Sequence, residues 1–197
     1  MSSLIRLSSP DTISVFFSGP IFLLIFLAAG EVGNIQARPI DFVCDDHARR
    51  DMNTLKKLEA SVCSSSASLP SPIQLPCVKI HKASWDKKSM QEKTGEVQSA
   101  LEMLGQDVRA TMTVSQPGCQ LSLLQQLEHS VSNYLHVVTH LEITGEVGKQ
   151  YFFCPSKRTH NMGLVLRNFG RLLSGKLEWL VAELKDRCQV ERPTTNI

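Results

Sequence analysis

Four amphipathic stretches, separated in turn by a long, a short and a long connection, constrain this chain more than any other feature. From Cys44 to Cys63, Ala48, Met52, Leu55, Leu58 and Val62 recur at three-to-four spacing, which predicts a helix of about four turns. Asp45 or Asp46 serves as its N-cap, and Arg49, Arg50, Asn53, Lys56 and Lys57 fall on its outward side. A second helix is expected from Trp85, capped by Ser84, with Val97, Leu101, Leu104, Val108 and Met112 as its stripe. A third runs from Leu121 to Glu142, with Leu124, Leu127, Val131, Tyr134 and Val138 inward. The fourth, Gly163 to Cys188, has an apolar side broad enough to meet two or three neighbours. Val165, Leu166, Phe169, Leu172, Leu173, Leu177, Leu180 and Leu184 make that side, and Arg167, Arg171, Ser174, Glu178 and Lys185 lie opposite.

The connections decide the topology. Ser64 to Ser84 carries Pro70, Pro72 and Pro76 and is irregular, except that Cys77-Val78-Lys79-Ile80-His81 alternates like a short strand. Gln116-Pro117-Gly118 closes a short link, so the helices it joins are antiparallel neighbours. Ile143 to Asn161 is long again, with Gln150 to Cys154 as its β-prone piece. Two long crossovers around a short turn give an all-α, up-up-down-down four-helix bundle, with room for a short two-stranded β pairing between the crossovers. Links of equal length would instead predict up-down-up-down.

At 197 residues the chain suits one domain with a sizeable core. Ile21 to Ala29 is an apolar run of signal-peptide length, so residues 1–30 read as an export signal, cleaved after Gly30 or Ala37. Residues 31–43 are expected as an irregular leader, 44–188 as the helical domain and 189–197 as a short tail. Six cysteines in an exported chain read as three disulfides, with fifteen formal connectivities. No C-x-x-C pair favours a zinc site over disulfides. A net charge of +2, without basic runs interleaved with aromatics, argues against nucleic acid as the partner. No nucleophile–base spacing or carboxylate pair stands out, so no enzyme and no cofactor are expected.

Arg167 and Arg171 face outward with little acid beside them, which suits an acidic partner; the same charges would also simply keep a helix soluble. His136 and His140 stand four apart, but no Glu follows His136 as a zinc protease requires, so they read as exposed or core-edge histidines. Trp85 reads as a core anchor before a partner contact.

With these residues placed, the chain resembles the erythropoietin and thrombopoietin family of four-helix cytokines over Cys44 to Cys188. The resemblance rests on Val43-Cys44-Asp45 at the first helix, on Leu75-Pro76 through Trp85, and on Leu172-Leu173-Ser174-Gly175-Lys176-Leu177 in the fourth. Pro117-Gly118-Cys119 followed by Leu121, Leu123 and Leu124 is similar to the third-helix start of the thrombopoietin-type members, as is the absence of any Asn-x-Ser/Thr acceptor.

The resemblance implies disulfides Cys44–Cys188 and Cys63–Cys119. Cys77 and Cys154, one in each long link, are then expected to form a third bridge. It also implies a secreted monomeric hormone, active on neither nucleic acid nor membrane, that brings two copies of a class I cytokine receptor together and supports growth of the megakaryocyte or thrombocyte lineage. Asp45 matches an acidic contact of the family, and Arg49 is grouped with it on the outward side of the same helix. Pro76 and Ile80 match positions in or beside the first-crossover contact, and Arg171 and Lys176 match basic contacts in the fourth helix; Arg167 extends that row. On the helical wheel Lys176 sits at the edge of the apolar side, so a packed lysine and a contact lysine are equally open. The rival functions are an erythropoietin-like hormone for red-cell precursors and an exported helical lipid carrier or inhibitor.

Overall fold

A computed structural model describes residues 39–63, 68–141 and 157–189, all within one compact unit. The expected signal 1–30, the leader up to residue 38, the Gln150–Cys154 piece and the end of the tail lie outside the described residues.

The first helix is three short ones: α1 (Pro39–Cys44), α2 (Asp46–Met52) and α3 (Leu55–Ala60). Residues 39–43 are therefore helical, which corrects the irregular leader expected to reach position 43. Proline suits a first turn because the N–H it lacks has no partner there, and Phe42 and Val43 are buried by this turn. The interruptions fall where short polar side chains compete for the backbone. Asp45 is extended and its carboxylate accepts from the His47 N–H at 2.7 Å. Asn53 is also extended, and its side-chain oxygen accepts from the Leu55 N–H at 3.1 Å.

The second stretch is a single turn, α4 (Lys82–Trp85), followed by the long α5 (Met90–Thr113). Ser89, not Ser84, caps the long helix. Its hydroxyl accepts from the Glu92 N–H at 3.2 Å, and the Glu92 carboxylate accepts from the Ser89 N–H at 2.7 Å. This reciprocal box satisfies two orphan donors at once, whereas the Ser84 hydroxyl donates to the His81 carbonyl inside α4. The third helix, α6 (Cys119–Thr139), starts after Gly118, whose φ of +146° only glycine adopts without strain.

The last stretch begins as α7 (Met162–Leu172), with the Asn161 side chain accepting from the Leu164 N–H at 3.0 Å. It passes through a π-helical turn (Leu173–Leu177), resumes as α8 (Glu178–Leu184) and ends in a 3₁₀ turn (Lys185–Gln189). The π turn holds more residues than an α turn, so it shifts the phase of the apolar stripe. Leu173, Lys176 and Leu177 are all buried there.

Two crossovers meet in a small antiparallel sheet, β1 (Ile73–Leu75) on β2 (Lys157–Thr159), with Ile73 opposite Thr159 and Leu75 opposite Lys157. The strand lies four residues ahead of the expected Cys77–His81 piece. Pro72 and Pro76 bracket β1 instead of interrupting it, and Ile73 is fully buried. The Gln74 N–H donates to the Asp107 carboxylate of α5 at 2.7 Å, which fastens the sheet to the bundle.

Cys44 and Cys188 are bonded, with Cα atoms 5.5 Å apart, so the first helix begins where the last one ends and the two run antiparallel. Cys63 and Cys119 are bonded at a Cα separation of 6.1 Å, joining the end of the first helix to the start of α6. Helices α5 and α6 reverse through a short link. The result is the up-up-down-down bundle. Its interior is tied by edge-on rings, Phe42 to Tyr134 at 5.9 Å and Tyr134 to Phe169 at 6.0 Å, which link α1, α6 and α7. Gly170 of α7 faces Leu55 of α3 so closely that a Cβ there would stand 2.5 Å from Leu55 Cδ2. A larger residue at position 170 would require the Leu55 side chain to move.

Candidate receptor-binding surface

The side of the bundle formed by the first helix, the first crossover and the last helix carries the expected contact residues. Asp45, Arg167 and Arg171 are exposed. Ser174, Glu178 and Lys185 continue the exposed row of the last helix. Neither Arg167 nor Arg171 has an ion-pair partner among the described residues. Their charge is therefore open to solvent, as a docking cation requires.

Arg49 does not face outward, and that expectation is corrected. The break at Asp45 turns its guanidinium beneath α1, where it donates to the carbonyls of Val43 at 2.7 Å and Phe42 at 3.0 Å. Arginine satisfies the helix-end carbonyls that the break leaves without partners. It also pairs with Asp46 and approaches Glu178 of α8 at 3.8 Å. Asp46 in turn accepts from Lys185 at 3.0 Å, and Lys185 and Arg49 together hold its carboxyl below the usual carboxylate range. Arg49 thus ties the first helix to the last instead of presenting a charge.

Lys176 is buried in the π turn, 3.2 Å from Glu96 of α5, which also pairs with Lys88. The two readings left open for it are separated by this burial: the ammonium faces another helix, not solvent. A second ionic group lies on the same two helices. Lys93 pairs with Glu183 at 2.6 Å, and Glu183 accepts from the Trp85 indole N–H at 2.9 Å. The Lys93 ammonium stands 5.7 Å from the Trp85 ring centre. Trp85 is buried, as a core anchor should be, and fixes the end of the first crossover to α5 and α8.

Pro76 is buried and Ile80 half-buried. Ile80 Cδ1 lies 3.6 Å from where a Cβ on Gly175 would stand, so the crossover rests directly on the π turn. Trp179, which the sequence reading did not single out, is 37% exposed and meets Trp85 edge-on at 6.4 Å. The edge-on contact with a buried indole fixes the orientation of this partly exposed one. Its signal in the sequence was its place two turns beyond Arg171, at the edge of the apolar stripe beside Leu172 on the helical wheel.

Cys77 is disulfide-bonded, while Cys154, its expected partner, lies outside the described residues. Among the described residues no helix is long and apolar enough to cross a membrane.

No curated protein matches the chain at a significant level. A family model described as Erythropoietin/thrombopoietin matches residues 42–191, which spans the region from α1 through the last helix. With two disulfides closing a bundle of this topology and a model match over most of its length, the chain belongs to the erythropoietin/thrombopoietin family of cytokine hormones.

Proposed function

We propose that this protein is a secreted hormone of thrombopoietin type that joins two copies of a class I cytokine receptor and promotes growth of the megakaryocyte or thrombocyte lineage. Its family is one of receptor-binding, non-enzymatic hormones. The observation that carries the finer reading is the Cys63–Cys119 bond at the start of α6, since erythropoietin-type chains lack a cysteine at that place.

Asp45, Arg167 and Arg171 orient the approach through their unpaired charge, Ile80 lies at the crossover edge, and Trp179 supplies the desolvated anchor. Arg49, Pro76 and Lys176 serve the same surface from beneath, by holding the backbone that presents it. A second face, on the first and third helices, receives the other receptor copy.

Cells that depend on one introduced receptor at a time test the reading. Growth is expected with the thrombopoietin receptor and not with the erythropoietin receptor. The reverse pattern would assign the erythropoietin-like function.

A further inference from the structure

His136 and His140 stand one turn apart at the C-terminal end of α6, both exposed, with ring centroids 4.2 Å apart and planes tilted by 40°. The His140 Nδ1 lies 2.7 Å from the His136 carbonyl oxygen. A carbonyl oxygen only accepts, so Nδ1 carries a proton, and in the neutral ring the lone pair is on Nε2. Metal-binding imidazoles are held in this way, with one nitrogen as ligand and the other N–H given to a carbonyl. The ring nitrogens of His136 engage no hydrogen bond or ion pair among the described residues.

The spacing fits a shared ion. Two imidazoles bound at roughly 2.0–2.1 Å, with a ligand–metal–ligand angle between square and tetrahedral, place their ring centroids roughly 4.5–5.2 Å apart. The observed separation is within about 1 Å of this, a difference that rotation of two exposed side chains covers. The pair also lies where the helix dipole is negative and favours a cation. His129 and Asn133, further up the helix, face each other at 3.3 Å. Among the described residues no third His, Cys, Asp or Glu joins a metal-holding group; water or a second copy of the chain can fill the remaining coordination positions.

We propose that His136 and His140 form an open, exchangeable site for a divalent transition metal of the Zn²⁺ or Cu²⁺ class, which staples the last turn of α6. Imidazole pairs prefer such ions over Ca²⁺ or Mg²⁺, which take oxygen ligands. The pair lies on the third helix, which also carries the proposed second receptor face, but metal binding is read directly and its outcome does not depend on the receptor reading.

Calorimetric titration of the full oxidised chain with ZnCl₂ and with CuCl₂ in chelator-free buffer tests it. Saturable binding of one ion per chain, at roughly micromolar affinity, is expected, together with a raised melting temperature. His136→Ala and His140→Ala should each weaken binding tenfold or more, and His129→Ala should not. Half an equivalent accompanied by dimer in sedimentation, lost in the double variant, identifies the second copy as the source of the remaining ligands. Binding that survives in H136A/H140A, or no saturation up to millimolar metal, overturns the assignment. Both side chains are exposed, so unchanged helical circular dichroism of the variants keeps the comparison valid.

Discussion

Replacing Lys176 with methionine separates packing from contact. The Lys176 ammonium is the ionic partner, at 3.2 Å, of a Glu96 oxygen that accepts no hydrogen bond, and both residues are about 5% exposed. Methionine fills nearly the same volume, so no cavity term enters. A wholly uncompensated buried charge costs about 3–5 kcal/mol. Here Lys88 still neutralises the other Glu96 oxygen, so the expected loss is about 2–3 kcal/mol. For a domain of this size that lowers the melting temperature by roughly 5–10 °C. The double variant K176M/E96M removes both charges and leaves only Lys88, which is 22% exposed and turns to water. It should lose less than the single variant, giving a coupling energy of about 1 kcal/mol or more. Urea unfolding of the oxidised chain supplies the stabilities, and surface-immobilised receptor ectodomain supplies the association rate. Unchanged stability of K176M with a large loss of receptor binding would refute the buried-pair account and return Lys176 to the contact surface.

The other perturbations probe different layers of the structure. Arg171→Glu should slow receptor association several-fold, more at low salt than at high, with the melting temperature nearly unchanged, whereas Trp179→Ala should act mainly by speeding dissociation; equal loss of stability and binding would make either side chain structural. Paired replacement of Cys44 and Cys188 by serine opens a loop with sequence separation 144, for which chain entropy predicts a loss of about 5 kcal/mol, measurable as a fall in the urea midpoint and absent if the reduced chain already holds its ends together. Burial, with a smaller contribution from Glu178, pushes the Tyr134 hydroxyl up to about 12. A raised phenol favours the neutral form in the folded state, so its contribution is complete below pH ~10 and is lost as pH rises through about 12. The stability difference between the native chain and Tyr134→Phe should change across that window, and parallel curves would contradict the burial.

The stripe spacings and the lengths of the three links determined the bundle and its topology from sequence, because a broad apolar face must be covered and a short link forces neighbours antiparallel. Exposure of Arg167 and Arg171 was legible for the same reason: regular spacing puts them opposite the stripe. Local competition was harder to read. The breaks at Asp45 and Asn53, and the cap at Ser89 in place of Ser84, depend on which of several short polar side chains reaches a free N–H. The Ser-x-x-Glu spelling of the true cap was nonetheless present.

Tertiary structure alone decided the rest. The π turn over residues 173–177 holds Lys176 against Glu96, which decided between the packed and the contact lysine that the wheel left equally open. Arg49 went inward because carbonyls of a preceding turn, unexpected from sequence, needed a donor. Periodicity records which face is apolar, whereas the fate of a buried charge depends on the partner that another segment brings to it. Here those partners are 80 and 129 positions away, Glu96 from Lys176 and Glu178 from Arg49.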